Sequence, residues 1–218
     1  MEALKDKDIR EPLFDFLEET FGKVRIIEEK QMGRSRADIV MVLEGALAGI
    51  EIKSDADTYA RLARQVVDYD RFFDYNFLVV GSSHALHAHE HVPESWGIIS
   101  AEMTEDAGID FYILREAQRN VSADIRLQLR FLWRPELAKI QEMYGMPAYA
   151  QKSKQFVIGK IAQTVPAPIL RPRITEALFE RDYEEELKEI RKFRRTHSKP
   201  SPHTSHVLRR GKRRRRRL

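Results

Sequence analysis

The sequence contains no cysteine and no long apolar run, and these two absences exclude several classes of protein. Without cysteine, the 218-residue chain cannot form disulfides or bind zinc through thiolates. No stretch approaches the roughly eighteen consecutive apolar residues of a membrane-spanning helix, so we expect no transmembrane segment. The N-terminal stretch MEALKDKDIREPLFDF is charged and lacks the apolar run of a signal peptide. Together these features fit a reducing compartment, and we expect a cytoplasmic location.

Acidic residues are missing from the C-terminal end of the chain. Residues 191–218 contain 13 of the 38 Lys and Arg residues and none of the 34 acids, so residues 1–190 are acidic overall. From about residue 196 the chain is rich in His, Ser and Pro and then reads RRGKRRRRRL, which should be disordered on its own. A basic arm on an acidic body predicts binding to a polyanion, with Arg213, Arg214 and Arg215 as candidate nucleic-acid contacts. The alternative is a solvated tail without function.

Hydrophobic periodicity predicts an α/β fold in the first part of the chain. Apolar residues at helical spacing indicate two helices, and runs rich in β-branched residues indicate the strands between and after them. The predicted elements are a helix (6–22), three strands (23–30, 36–43 and 46–53), a helix (55–75) and a strand (76–83). The last strand is apolar throughout, which predicts a central position in the sheet.

The second part of the chain is predicted to be mainly helical. The segments are a short edge strand (96–103), a helix broken or kinked at Pro135 (122–145), a helix (152–165), a Pro-rich linker (167–173) and a last helix (174–195). We therefore predict three regions. They are an α/β domain at 1–120, a helical extension at 121–195 and the basic tail at 196–218.

The segment RADIVMVLEGALAGIEIKS places carboxylates inside two predicted strands. If the loop is the two residues 44–45, Asp38 lies opposite Glu51, with Cβ atoms about 4.5–5.5 Å apart on one face of the sheet. Lys53 is two residues beyond Glu51 and shares that face. The spacing therefore predicts a cluster of two carboxylates and one lysine.

Two facing carboxylates repel unless a cation lies between them. A hard divalent cation such as Mg²⁺ prefers oxygen ligands. Beside it, Lys53 could orient or deprotonate a water, or offset charge on a phosphate. These are the components of metal-assisted phosphodiester hydrolysis. The alternative is that Asp38 and Glu51 are solvent-facing residues of a one-sided sheet and that Lys53 is an ion-pair partner.

The second predicted helix supports the first interpretation. Arg61, Gln65 and Tyr69 are spaced i, i+4, i+8 and lie near one helix face. Packing of this helix over the sheet would bring Gln65 near the carboxylates, where it could bond a metal-bound water or a nucleotide. Tyr69 could contact a phosphate or simply pack in the apolar stripe, and Gln65 could be an exposed helix residue.

These motifs together resemble the PD-(D/E)XK nuclease superfamily. The matching residues are Asp38, the Glu-Ile-Lys at 51–53 and the Gln-xxx-Tyr at 65–69, the last being similar to the RecB-like exonuclease branch. Ala37 stands where the motif name has proline. Residues 6–140 more closely resemble a small, largely uncharacterised bacterial and phage family within that superfamily. The fold class that follows is a restriction-endonuclease-like αβββαβ core with a mixed sheet, a C-terminal helical extension and a basic tail.

The resemblance also implies a site. It implies Mg²⁺ or Mn²⁺ bound by Asp38, Glu51 and the Ile52 carbonyl, with Lys53 as catalytic lysine and Gln65 as a supporting catalytic residue. Members often add an upstream acid as a further metal ligand. The candidates for it are Glu11, Glu18, Glu28 and Glu29, and similarity to the small family favours Glu29.

Three function hypotheses follow from this reading. The first is a metal-dependent nuclease acting on DNA, with an exonuclease or repair role implied by the branch. Its candidate nucleic-acid contacts in the body are Arg34, Arg36, Arg61, Arg64 and Tyr69. The second is a non-catalytic nucleic-acid-binding or accessory protein on the same fold. The third is a partner-binding helical module at 122–195, through which the chain could form a homodimer or bind another protein.

Overall fold

A computed structural model describes residues 4–181 of the chain. The helices within this range are α1 (Asp6–Phe21), α2 (Leu62–Phe72), α3 (Ser82–Ala85), α4 (Ile125–Gln128), α5 (Arg134–Met143), α6 (Lys154–Thr164) and α7 (Ala167–Glu180). The strands are β1 (Arg25–Met32), β2 (Ser35–Leu43), β3 (Ala46–Lys53), β4 (Tyr75–Gly81), β5 (Gly97–Met103) and β6 (Ile109–Arg115). The predicted basic tail, with Arg213, Arg214 and Arg215, lies outside the described residues.

The six strands form one sheet in the order β1-β2-β3-β4-β5-β6. The first three strands and the last pair are antiparallel, whereas β3-β4 and β4-β5 are parallel. The predicted αβββαβ order and mixed α/β fold are therefore confirmed, as is the central position of β4. Parallel pairing of β3 with β4 requires a crossover, and the chain makes it through α2.

Each face of the sheet is covered by its own apolar layer. On one face, Ile9, Leu13 and Leu17 of α1 pack with Ile39 and Ile50. The other face carries α2 and the C-terminal helices, whose apolar residues join those of the strands in one larger cluster. Because both faces are covered, charged residues on β3 are buried rather than solvent-facing.

The prediction of an edge strand at 96–103 is correct for the strand and wrong for its position. β6 pairs antiparallel with β5 and forms the sheet edge in its place. The missed strand has a half-buried and exposed alternation along its whole length. Its exposed side includes Tyr112 and Leu114, which weaken the polar signal that normally marks a one-sided strand.

The predicted Pro-rich linker at 167–173 is also wrong, because these residues form the first half of α7. Pro168 lies in the first helical turn, where a missing N–H costs no hydrogen bond. Pro172 lies inside the helix, and the burial of Leu170 and Ile174 on either side of it offsets its cost. The predicted break at Pro135 is confirmed, since residues 122–145 divide into α4, a 3₁₀ turn and α5.

A buried carboxylate joins the C-terminal helices to the sheet. Asp74 accepts hydrogen bonds from Leu47 N (3.0 Å), Gln128 Nε2 (2.9 Å) and Arg171 Nε (2.8 Å). These donors come from β3, α4 and α7. The C-terminal helices therefore pack against the part of the sheet that contains β3. No helix within residues 4–181 is long and apolar enough to cross a lipid bilayer.

Gly49 permits the close approach of α2 to β3, and its replacement is predicted to destabilise the fold. A Cβ at Gly49 would lie 2.2 Å from Phe73 Cδ2 and 2.7 Å from Tyr69 Cδ1. We expect Gly49→Ala to lower the free energy of unfolding by about 1–3 kcal/mol, measured by urea denaturation. Gly159→Ala is the control, since a Cβ there meets no atom within 4 Å and alanine favours a helix by about 0.5–1 kcal/mol. Equal stability of the two variants would contradict the packing argument.

Candidate active site

The hairpin joining β2 and β3 has the predicted register. Leu43 pairs with Ala46 and Ile39 with Ile50, around a two-residue loop in which Gly45 adopts φ 71°. Asp38 is the residue before Ile39, and its Oδ2 accepts a hydrogen bond from the Ile52 N–H at 2.9 Å. The hairpin therefore brings Asp38 to the end of β3 that carries the Glu-Ile-Lys motif.

Glu51 is a buried carboxylate surrounded by donors. Its exposed fraction is 1%, and its Oε1 accepts hydrogen bonds from Lys53 Nζ and Gln65 Nε2. Its Oε2 lies 2.8 Å from the Tyr69 hydroxyl. A buried carboxylate is stable as an anion only when such donors replace its water. The structure thus brings together Asp38, Glu51, Lys53 and Gln65, all four predicted catalytic residues.

Of the two alternatives for Tyr69, contact with a phosphate and packing in the apolar stripe, the structure fits packing. Its side chain is fully buried, so it cannot lie on a nucleic-acid-binding surface in this structure. Its hydroxyl also lies 3.0 Å from Ile50 O and accepts from the Asp38 N–H at 3.3 Å. Burial and the nearby Glu51 carboxylate raise the pKa of Tyr69 well above its ordinary value. The phenol therefore stays neutral and ties α2 to both strands of the hairpin.

The alternative of a solvent-facing ion pair is not what the structure shows. Lys53 does contact Glu51, but the two residues are only 7% and 1% exposed. Asp38 is less enclosed, with 21% of its side chain exposed. Buried ion pairs are costly unless the geometry is good, so this pair is a weak contributor to stability. Both residues also line an open cleft, which is described below, so they are accessible to a ligand in that cleft.

Asp38 has an unusual proton affinity. Burial and the adjacent Glu51 carboxylate raise its pKa to about 6, against the opposing effects of the Ile52 N–H, Lys53 and Arg10. The Arg10 Nη2 atom is 3.6 Å from Asp38 Oδ1, a distance that gives only partial compensation. Arg10 is held on α1 by Asp6, with Nε to Oδ2 at 2.7 Å.

Arg10 and Asp6 were not predicted as site residues. Their i, i+4 spacing indicates only a salt bridge on a helix surface. What brings Arg10 to Asp38 is the packing of α1 against the sheet, which hydrophobic spacing alone did not reveal. The Arg10 Nη1 atom also lies 3.4 Å from the Asp38 carbonyl oxygen and 3.5 Å from Glu28 Oε2.

An open cleft of about 380 Å³ lies over these residues. Its walls include the four predicted arginines, and we call it the arginine-lined cleft. Its lining residues are Asp6, Arg10, Glu29, Arg34, Ser35, Arg36, Asp38, Glu51, Ile52, Lys53, Asp57, Arg61, Arg64 and Gln65. Arg34, Arg36, Arg61 and Arg64 were predicted from the sequence to contact nucleic acid.

Glu29, the predicted extra metal ligand, lines the same cleft but contacts neither carboxylate. β1 extends to Met32, so Glu29 lies within the strand and not at its end. Its Oε2 accepts from Arg36 Nη1 at 3.0 Å, and half of its side chain is exposed. Its φ of 52° is left-handed, which is unusual for a non-glycine residue. Glu11, Glu18 and Glu28 do not line the cleft.

The turn between β1 and β2 is fixed by α2. Asp68 Oδ2 accepts from Ser35 Oγ at 2.6 Å and from Arg34 N at 3.2 Å. Gly33 has φ 52°, and a Cβ there would lie 2.6 Å from Asp68 Oδ1. The short contact requires glycine, so the turn and Asp68 together set the position of the neighbouring arginines.

The residues present fit a divalent cation that keeps part of its water shell. Asp38, Glu51 and the Ile52 carbonyl supply oxygen donors, and Gln65 Oε1 is buried without a hydrogen-bond partner. Within residues 4–181, no cluster of three or more His, Asp and Glu side chains is arranged to hold a metal. Mg²⁺ commonly binds through only one or two carboxylates and retains several waters. Binding at Glu51 Oε1 would require Lys53 or Gln65 to shift.

Comparison with known proteins identifies one family. The family model described as "Bacteriophage P4 protein cII" matches residues 1–203. A search of curated proteins finds no match. Among solved structures, Pyrococcus furiosus SfsA in complex with Ca²⁺ aligns with a TM-score of 0.30 and 18% identity. That alignment covers 49% of this chain and 59% of the SfsA chain. A TM-score this low does not establish a shared fold.

The raised pKa of Asp38 predicts a pH dependence of stability. Between the ordinary carboxyl value of 3.8 and about 6, the folded protein binds more protons than the unfolded chain. The stability contributed by this group is therefore complete below pH 3.8 and lost as the pH rises through 6. Urea denaturation in EDTA measures the free energy of unfolding across this pH range. The fall in this free energy between pH 3.8 and about 6 should be smaller in Asp38→Asn than in wild type by roughly 1–3 kcal/mol. Asp106→Asn, in the exposed turn after β5, is the control. Identical pH profiles for wild type and Asp38→Asn would contradict the assignment.

Proposed function

This chain belongs to the bacteriophage P4 protein cII family, and from that premise and the geometry of its cleft we propose that it is a metal-dependent nuclease acting on DNA. The observation that carries the proposal is the convergence of Asp38, Glu51 and Lys53 at the base of the arginine-lined cleft. Two carboxylates at close range are unfavourable for folding alone. The same two carboxylates would be favourable as ligands of a divalent cation, whose charge would offset their repulsion.

The unusual features of the site have a common explanation under this proposal. The raised pKa of Asp38 reflects a carboxylate whose negative charge is poorly compensated by the neighbouring protein groups. The unpartnered Gln65 Oε1 is an acceptor close to Glu51, where a water on the cation would donate to it. Perturbed carboxylates in a cleft are frequent at catalytic sites. These points also support membership of the PD-(D/E)XK nuclease superfamily, which we propose for the fold.

Each residue can be given a role in phosphodiester hydrolysis. Asp38, Glu51 and the Ile52 carbonyl would hold Mg²⁺ or Mn²⁺, which when bound would polarise a phosphoryl oxygen and lower the pKa of a water. The Lys53 ammonium donates to Glu51 and to Ile52 O at 3.4 Å, and from there it can reach a phosphate oxygen. It would offset the negative charge that develops during attack. Gln65 Oε1 would accept a hydrogen bond from the attacking water and orient it.

The walls of the cleft fit a polyanionic substrate. Arg34, Arg36, Arg61 and Arg64 line the cleft together with the two carboxylates. Guanidinium groups are common contacts of backbone phosphates. Glu29 neutralises part of Arg36 and remains a candidate for the additional acid. Arginine also screens the repulsion between the phosphates and the carboxylates. The polar lining favours a nucleic-acid backbone over an apolar small molecule.

The first test is metal-dependent cleavage of labelled single-stranded and double-stranded DNA. Wild type should cut with Mg²⁺ or Mn²⁺ and not in EDTA. Asp38→Asn, Glu51→Gln and Lys53→Met should each lower the rate by at least about 100-fold, since each removes a ligand or a charge used in the transition state.

Asp106→Asn and Lys7→Met are the matched controls, because both residues are exposed and neither lines the arginine-lined cleft. Both should cut at the wild-type rate. Binding of DNA without cleavage by the wild type at any metal concentration would reject the enzyme and leave a non-catalytic binding protein. If the wild type neither binds nor cleaves DNA, the helical partner-binding module is the hypothesis that remains.

Tyr69 is proposed as a positioning residue for Glu51 and Asp38. Tyr69→Phe keeps the ring but removes the hydroxyl between Glu51 Oε2, Ile50 O and the Asp38 N–H. We expect about 10- to 100-fold lower activity, together with a higher Mg²⁺ concentration for half-maximal rate. Tyr112→Phe is the control, since that hydroxyl is exposed on β6. A loss of stability with an unchanged metal requirement would reduce Tyr69 to a packing residue.

A further inference from the structure

A second cleft opens between β1 and the start of α6, and no residue in it belongs to the proposed catalytic set. It has a volume of about 530 Å³, and Lys30, Arg130 and Lys154 contribute its cations. Phe72 and Phe131 form part of its apolar wall. We call it the lysine cleft. Both lysines are half-buried and have no carboxylate partner in the described part of the chain, which is unusual for ammonium groups.

Among the described residues, the lysine cleft has more cationic than anionic side chains. Within residues 4–181, the charged groups acting on Lys154 are Lys30, Arg130, Arg181 and one carboxylate, Glu136. Arg181 engages that carboxylate through both oxygens, each at 2.7 Å. Within residues 4–181, the carboxylate–ammonium contacts shorter than 4.0 Å include neither Lys30 nor Lys154.

The lysines are held in place despite this repulsion. Lys154 Nζ donates to Arg130 O at 2.8 Å, and Lys30 Nζ lies 5.9 Å from the centre of the Phe131 ring. Burial and Lys30 lower the pKa of Lys154 to about 8. Burial and Arg181 likewise lower the pKa of Lys30. Desolvated like charges raise the electrostatic energy of the folded protein. An anion between the two lysines would attract both, and these attractions would outweigh the repulsion between them.

The lysine cleft and the arginine-lined cleft are lined by neighbouring residues of β1. Glu29 lines the first cleft and the next residue, Lys30, lines the second. Gln31, which also lines the lysine cleft, donates through Nε2 to Ser35 O at 2.9 Å, and Ser35 lines the arginine-lined cleft. An anion with many linked charges could therefore occupy both, whereas a small anion would occupy only one.

We propose that the lysine cleft binds a backbone phosphate of the same nucleic-acid strand that enters the arginine-lined cleft. The proposal rests on nucleic acid being the substrate, as inferred above. Lys30 and Lys154 would contact the phosphate directly, and Arg130 would add long-range attraction. Contacts of this kind fix the register of a strand without reading its sequence.

The test is protection of individual lysines from an amine-acylating reagent, read by mass spectrometry on the full chain in EDTA at pH 8. Lys154 should react readily, because a pKa of about 8 leaves much of its amine neutral. Saturating DNA at low salt should slow labelling of Lys30 and Lys154 by about tenfold, and high salt should reverse this. Lys7, exposed on α1 against the opposite face of the sheet, is the internal control and should label at one rate throughout.

A binding measurement completes the design. The double variant Lys30→Gln/Lys154→Gln should bind DNA with a salt dependence whose slope is smaller by about 1, the value for one lost phosphate contact. Lys7→Gln should leave the slope unchanged. Equal labelling of Lys30 and Lys154 with and without DNA would overturn the proposal. So would protection by inorganic phosphate but not by DNA, which would instead identify a small-anion site.

The two proposals fail in distinguishable ways. Protection of Lys30 and Lys154 by DNA that the wild type never cuts would retain the lysine cleft and reject the nuclease. Metal-dependent cleavage without protection would retain the nuclease and reject the lysine cleft. The basic residues beyond 181 do not confuse the result, because the labelling is read separately at each lysine.

Discussion

The burial of the Glu51 carboxylate is the constraint on which the rest of the site depends. A charge that is 1% exposed must find donors within the protein, and those donors come from two elements. Lys53 is supplied by the same strand, while Gln65 and Tyr69 come from the helix that follows. The helix can reach the strand only because Gly49 has no side chain between them. The geometry of the proposed site and the packing of α2 on β3 therefore depend on the same contact.

Asp38 shows that the compensation is incomplete. Glu51 has three donors, but Asp38 has the Ile52 N–H at 2.9 Å and only a 3.6 Å contact with Arg10. A fold selected for stability alone would replace one of these two acids by a neutral residue. The presence of both, at a cost in repulsion, fits the proposed metal site, and sites of function are where such local conflicts are expected.

The part of the site that could be predicted from the sequence is the part governed by local periodicity. A two-residue loop and a period of two place Asp38 beside the strand of Glu51 and Lys53, and a period of 3.6 aligns Gln65 with Tyr69. Arg10 was missed because its contact with Asp38 depends on how α1 packs across the sheet. For Tyr69, contact with a phosphate and packing both stayed open for a related reason. Its spacing fits both the apolar stripe and the polar face, and only burial distinguishes a residue beneath the site from one beside it.

The same limit explains one of the errors in the second half of the fold. Pro172 suggested a linker because proline lowers helix propensity locally, but the packing of α7 and the Arg171–Asp74 pair are tertiary contacts that outweigh it. Alternation in β6 was hidden by exposed apolar residues on its outer side. The error at α7 therefore arises from long-range contacts that no window of the sequence contains, whereas the error at β6 arises from the local pattern itself.

Helix α2 links the functional features of the protein. Asp68 fixes the β1–β2 turn and its arginines, and the neighbouring Tyr69 fixes Glu51. Arg64 and Gln65, one turn earlier, face the arginine-lined cleft. A shift of this single helix would therefore move the arginines of the cleft and the Glu51 carboxylate together. A nucleic-acid strand bound as proposed would therefore contact a surface whose position on the sheet is set by the close contact at Gly49.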